Sequence, residues 1–205
     1  MNDPASLPPT RRRARIGFAF ATLAAGLIDV VVNPASINPD GVAYIEVGRA
    51  ILAGHREGIV GYWSPLYATI VAAVLALFRA TPATEVLIAR SVNVLFFLIA
   101  ALAFESLVTA VLTLLRATGP VANELLWRIP AYAVFLWTCV RNIGIAEITP
   151  DLGVAAATFA ATAMVLDDAV GTPARRALWL GLTLGVGYLD KAVRSEEHTS
   201  ELQSH

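Results

Sequence analysis

Apolar runs separated by short polar breaks make up most of the chain. The first covers 16–33, with Asp29 as its only acid. A shorter run at 63–78 carries Ser64 and Pro65, and a long one at 86–115 is interrupted by Arg90 and Glu105. Further runs lie at 129–146, with Arg141 near the end, at 152–166, uncharged, and at 177–188. A stretch of roughly 17–25 mostly apolar residues is long enough to cross a bilayer as a helix. The pattern therefore predicts an all-α fold, a polytopic transmembrane helix bundle.

The arginines choose the topology. Arg11, Arg12, Arg13 and Arg15 directly precede the first run. A basic flank favours the cytoplasmic side, so the N-terminus is expected in the cytoplasm and the first run is expected to act as a signal anchor. A cleaved signal peptide is the competing reading, but the run is long for one and no convincing small-x-small site follows Val32. If 63–78 spans, Arg116, Arg128, Arg175 and Arg176 fall outside. If it lies on the outer surface as a juxtamembrane helix, all four fall inside with the N-terminal cluster, which obeys the positive-inside rule far better. The cost is that Arg49, Arg56, Arg79 and Arg90 lie outside, in or beside a long loop. Five spans follow, at about 16–33, 86–115, 129–146, 151–166 and 176–192.

The long outer loop, about 34–84, is expected to contain juxtamembrane helices. Within 40–54, Tyr44, Ile45, Val47, Ile51 and Leu52 share one side at helical spacing, while Glu46 and Arg49 fall on another. Such a helix packs on neighbouring protein or lies at the bilayer interface. Tyr62, Trp63 and Tyr67 fall where aromatic belts form. Pro34, Pro39, Gly54, Gly58, Gly61 and Pro65 divide the loop into short elements.

Composition agrees with the pattern. Apolar residues make up 57% and charged residues 15%, against about 45–50% and 25% for soluble domains. A net charge of −1, with no basic stripe, excludes a nucleic-acid partner. The single cysteine, Cys139, forms no intrachain disulfide. The character of the chain changes at Arg194. The string RSEEHTSELQSH has Leu202 as its only apolar residue and resembles a translated sequencing adapter. Residues 194–205 are accordingly expected to be a non-native tail, with His198 and His205 not counted as ligands. On this reading 1–15 is a cytoplasmic tail and 16–193 is a partial transmembrane domain, an N-terminal fragment of a longer protein.

Under this topology the acids collect on the outer side. Asp40 lies in NPDGVAYIEVGRAILAG, Glu147 and Asp151 in AEITPDL, and Lys191 follows Asp190 in GYLDKAV. Carboxylates beside a lysine at a bilayer surface suit proton abstraction by a general base and charge compensation at a phosphate. Each also has a plain structural reading. Asp40 could cap the following helix. Asp151 could favour a helix N-terminus through the macrodipole. Lys191 could reach the interface by snorkelling. Asp29, Glu105 and Arg141 lie in or near spans, where charges are costly and often functional. His55 reads as an exposed loop residue.

The order of these features resembles the GT-C membrane glycosyltransferases, the superfamily of protein O-mannosyltransferases and aminoarabinose transferases. Asp40 with Gly41 and Tyr44 resembles the acidic motif after the first span. The glycine-spaced stretch 54–61 followed by Trp63-Ser64-Pro65-Leu66-Tyr67 resembles a loop leading to an SPLYP-like element, with Ala68 in place of its second proline. Ala89-Arg90-Ser91-Val92-Asn93 is similar to the arginine-marked start of the next span. Thr149-Pro150-Asp151 resembles the second outer acidic motif, and GLTLGVGYLDKAV at 181–193 resembles a later span ending in tyrosine-leucine-x-lysine. The absence of an HPPLGK-like string argues against the mannosyltransferase subfamily.

The resemblance implies an enzyme that moves a sugar from a polyprenyl-phosphate-linked donor to an acceptor on the extracytoplasmic face, in a bacterial inner membrane. It implies Asp40 and Asp151 as catalytic acids. Lys191, Glu147 and Tyr44 would contact substrate, with Lys191 at the lipid-linked phosphate. It leaves a divalent metal ion open, with Asp40 and Asp151 as its ligands. The alternatives are a membrane transporter subunit and a non-enzymatic scaffold. Transporters place charges on broken helices near the midplane, whereas the charges here favour span ends and the first outer loop.

Overall fold

The computed structural model describes residues 9–32, 36–55, 63–167 and 172–191. The tail 194–205 lies outside these residues, as do Pro34, Arg56, Gly58, Gly61 and Tyr62 of the outer loop. Among the described residues every regular element is helical: α1 (Pro9–Val32), α2 (Pro39–Leu52), α3 (Pro65–Leu77), α4 (Glu85–Thr118), α5 (Leu125–Thr138), α6 (Asp151–Leu166) and α7 (Pro173–Asp190). Two of them, α1 over Thr10–Val32 and α4, are long and apolar enough to cross a membrane. At 1.5 Å rise per residue α4 is roughly 50 Å long, well beyond a hydrocarbon core of about 30 Å.

Local chemistry sets most helix starts. Proline occupies the first turn of α2, α3 and α7, where its missing N–H costs nothing. The Ser64 hydroxyl accepts from the Tyr67 N–H at 3.3 Å to cap α3, and Thr172 accepts from the Arg175 N–H at 3.4 Å to cap α7. The expected run at 129–146 differs most. The α-helical part is confined to α5, with Pro130 inside it; a π-helical turn, Cys139–Ile143, follows. Gly144, at φ 75°, ends the turn in a backbone region that side chains disfavour. α2 matches its expected amphipathic face at Tyr44, Ile45 and Val47, which are buried. Leu52 was expected on that face and instead is exposed, because the helix ends at this residue.

Packing makes two cores. Phe18 of α1, Phe97, Ala100 and Ala101 of α4, Tyr132 and Phe135 of α5, and Leu152 and Ala156 of α6 form one. Phe18 stacks on Tyr132 with ring centroids 4.0 Å apart. The other joins Tyr44, Ile45 and Val47 of α2, Tyr67, Ala68, Val71 and Leu75 of α3, Ala89 and Val92 of α4, and Ile148. Phe96 of α4 packs against both.

Ion pairs fix which helix ends lie together. Arg90, near the start of α4, meets Asp29, near the end of α1, at 2.7 Å. At the other end Arg11 and Arg116 reach Glu124, while Arg15 and Arg128 reach Glu105. α1 and α4 are therefore antiparallel. α2 and α3 sit at the Asp29–Arg90 end of α4, as the Tyr67–Asn93 hydrogen bond shows. Large apolar side chains face outward along the long helices, among them Phe20, Leu27 and Val31 of α1, Leu95 and Leu102 of α4, and Leu182 and Val186 of α7.

Candidate functional site

The segment before α6 is tied to α2. Asn38 precedes α2, but its side chain does not cap that helix. Its Oδ1 instead accepts from the Ile148 N–H at 2.9 Å. This bond brings the N-termini of α2 and α6 together, and with them Asp40 and Asp151. Asp40 is the second residue of α2 and is exposed; Asp151 is the first residue of α6. Neither is an N-cap. Both sit in a first turn, where the helix dipole favours negative charge.

Tyr44, one turn after Asp40, is buried at the centre of this assembly. Its ring meets Trp63 and Tyr67 edge-on, with centroids 5.0 and 4.8 Å away. The Ser64 backbone N–H donates to its hydroxyl at 3.3 Å. Burial pushes the Tyr44 phenol up to about 12, and the charges of Asp40, Asp190 and Asp151 add to the rise against the opposing Ser64 N–H. All three carboxylates thus lie near enough to act electrostatically on this hydroxyl. Tyr67 is raised as well, by burial first and then by Tyr44, Asp190 and Asp151. Its hydroxyl donates to Asn93 Oδ1 at 2.5 Å.

α7 closes the group from its C-terminal end. Ser64 Oγ donates to the Leu189 carbonyl at 3.2 Å. Lys191 Nζ meets Asp151 Oδ1 at 3.0 Å, with both side chains about half exposed. Asp190 is buried, and neither of its carboxylate oxygens has a hydrogen-bond partner. It occupies a notch over Gly153, where any Cβ would overlap the carboxylate.

Of the residues singled out in the sequence, Asp40, Tyr44, Asp151 and Lys191 come together. Glu147 joins through its carbonyl oxygen, which accepts from the Asn93 side-chain amide; its carboxylate lies over Gly144. His55 is exposed, as expected. Sequence reasoning did not select Asp190, Asn93 or Gly153. Asp190 stands beside Lys191 in the sequence, but no local pattern marks it as buried. Asp29, Glu105 and Arg90 belong to the buried ion pairs between helices.

Among the described residues no group of three or more His, Cys, Asp or Glu is placed to hold a metal ion. Asp151 is engaged by Lys191, and the Asp190 carboxylate is closed in against Gly153. Among the described residues, these side chains do not make a divalent-metal site. What the arrangement offers is an exposed carboxylate, a paired lysine beside it and a buried carboxylate behind, all at one end of the helices. No family model, curated protein or solved structure matches the chain.

Proposed function

We propose that the chain is part of a GT-C-type membrane glycosyltransferase that moves a sugar from a polyprenyl-phosphate-linked donor to an acceptor on the extracytoplasmic face of a bacterial inner membrane. The observation that supports this most is the Asn38–Ile148 hydrogen bond, which ties the start of α2, with Asp40, to the segment leading into α6, where Asp151 pairs with Lys191, at the helix ends opposite the arginine-rich end. Two arguments support a bilayer setting. Large apolar side chains face outward along α1, α4 and α7, as a lipid-facing surface requires. The arginine end would face the cytoplasm, and the carboxylate end would face outward.

On this reading Asp40 takes the proton of an acceptor hydroxyl as its oxygen attacks the anomeric carbon. The bond from that carbon to the phosphate oxygen breaks, and the polyprenyl phosphate leaves with the electron pair. Lys191, held in place by Asp151, offsets the charge that develops on the phosphate. Tyr44 keeps its proton at neutral pH and packs the floor beneath the carboxylates.

A transporter is the alternative, and the observation that favours it is the pair of buried ion pairs between helices, Asp29–Arg90 and Glu105–Arg128. Both pairs tie neighbouring helices together; Glu105–Arg128 lies at the far end of α4 from the carboxylates, while Asp29–Arg90 lies at their end. The deciding experiment is sugar transfer in membranes carrying the uninterrupted reading frame. Asp40→Asn should lower transfer about 10²–10⁴-fold with insertion unchanged. Asp151→Asn should lower it less, and Lys191→Ala should chiefly raise the donor KM. An Asp40→Asn enzyme of normal activity would remove this residue from catalysis, since losing a first-turn charge costs only about 0.3–1 kcal/mol of stability.

A further inference from the structure

The opposite end of the molecule carries charge that the proposed reaction does not use. Glu105 is buried and bonded by Arg128 at 2.7 and 2.8 Å, by Tyr132, and by Arg15 Nε at 3.0 Å. Glu124 holds Arg11, Arg116 and Arg128. Four arginines thus share two carboxylates, and Arg12 and Arg13 are exposed beside them. Arg128 is fully buried, whereas Arg15 keeps 40% of its side chain exposed while bound to Glu105.

Arg15 and Glu105 also form one end of a groove of about 230 Å³ between α1 and α4. From there it runs along Phe18 and Ala19 on one side and Leu98 and Leu102 on the other. Helix geometry puts these apolar residues one to two turns deeper along the helices than the arginine. The groove is therefore charged at its basic end and apolar along its length. That gradient matches a single phospholipid, with its headgroup at the water interface and a chain running inward.

We propose that this groove binds one anionic phospholipid, with the phosphate at Arg15 and an acyl chain laid between α1 and α4. The excess of arginine over carboxylate selects an anionic headgroup over a zwitterionic one. Glu105 does not oppose it, because its charge is already held by Arg128, Tyr132 and Arg15. The proposal rests on the membrane reading above and is independent of the glycosyltransferase reading.

The test is lipid retention by the whole chain, delipidated in detergent and offered equal phosphatidylglycerol and phosphatidylcholine, with bound lipid counted by native mass spectrometry. The wild type should retain one phosphatidylglycerol with a preference of roughly fivefold or more. Arg15→Gln should abolish that preference. Leu102→Trp, a change at an exposed position that fills the groove, should remove the retained lipid of either kind. Arg12→Gln with Arg13→Gln should leave the bound lipid in place, since these side chains supply only general attraction to an anionic surface. Equal retention of both lipids by the wild type would overturn the proposal, as would a preference that survives Arg15→Gln or Leu102→Trp. Loss of retention with the Arg12/Arg13 pair alone would also overturn it. Failure of the wild type to insert into vesicles would defeat this proposal and the membrane reading together. Insertion with lipid selectivity, but no sugar transfer by the full-length protein, would defeat only the enzymatic reading.

Discussion

Tyr44 illustrates how much one side chain depends on its neighbours. Its hydroxyl feels the charges of Asp40, Asp190 and Asp151 and accepts from the Ser64 N–H. Its folded pKa, about 12, lies above the ordinary tyrosine value near 10. The folded state therefore binds this proton more tightly than the unfolded state does. The resulting stability is fully present below about pH 10 and is lost as pH rises towards about 12. Unfolding followed in parallel with tyrosinate absorbance should show stability level through neutral and mildly alkaline pH, then falling across that window. Tyr67 is shifted in the same direction and adds to the fall. Tyr44→Phe should reduce the slope, and an unchanged slope would place the titration elsewhere.

Between elements, the buried ion pairs do more than the apolar contacts to choose partners. Apolar side chains on α1, α4 and α5 are nearly interchangeable in a bilayer, but a buried arginine needs one particular carboxylate. Arg128 has no exposed surface and meets Glu105, itself 4% exposed, through two short bonds. Breaking a buried pair from one side costs about 3–5 kcal/mol, because the remaining charge stays uncompensated. Glu105→Leu should destabilise by that amount in a detergent unfolding titration. Glu105→Leu combined with Arg128→Leu should recover most of the loss. If the double variant proves as unstable as the single one, the pair is not what joins α4 to α5.

For the whole molecule, the two ends carry opposite roles. The arginine end gathers α1, α4 and α5 through Arg11, Arg15, Arg116 and Arg128. The other end gathers α2, α3, α6 and the close of α7 around Tyr44. On the membrane reading these ends face opposite compartments. With Cys139 replaced, a cysteine introduced by His55→Cys should react with an impermeant thiol reagent in intact cells, and one introduced by Arg116→Cys should not. Labelling at position 116 from outside would sink the five-span topology.

Helix existence and type were legible in the residues because they depend on local pattern. An apolar run of this length is helical wherever it packs, so α3, α4, α6 and α7 lie close to their expected bounds. Asp40, Asp151 and Lys191 were legible as candidates because charge next to an apolar run stands out without any knowledge of packing. Their convergence was expected from the family resemblance and the chemistry, not from any local pattern in the residues. It depends on the Asn38–Ile148 hydrogen bond, which links residues 110 positions apart. Asp190 was missed for the same reason. What distinguishes it from an ordinary span-end acid is a notch over Gly153 on another helix. The sequence by itself determined the helical character and the apolar exterior. Only the tertiary structure decided which charges pair and which carboxylates share a site, because both depend on distances between helices that no local pattern encodes.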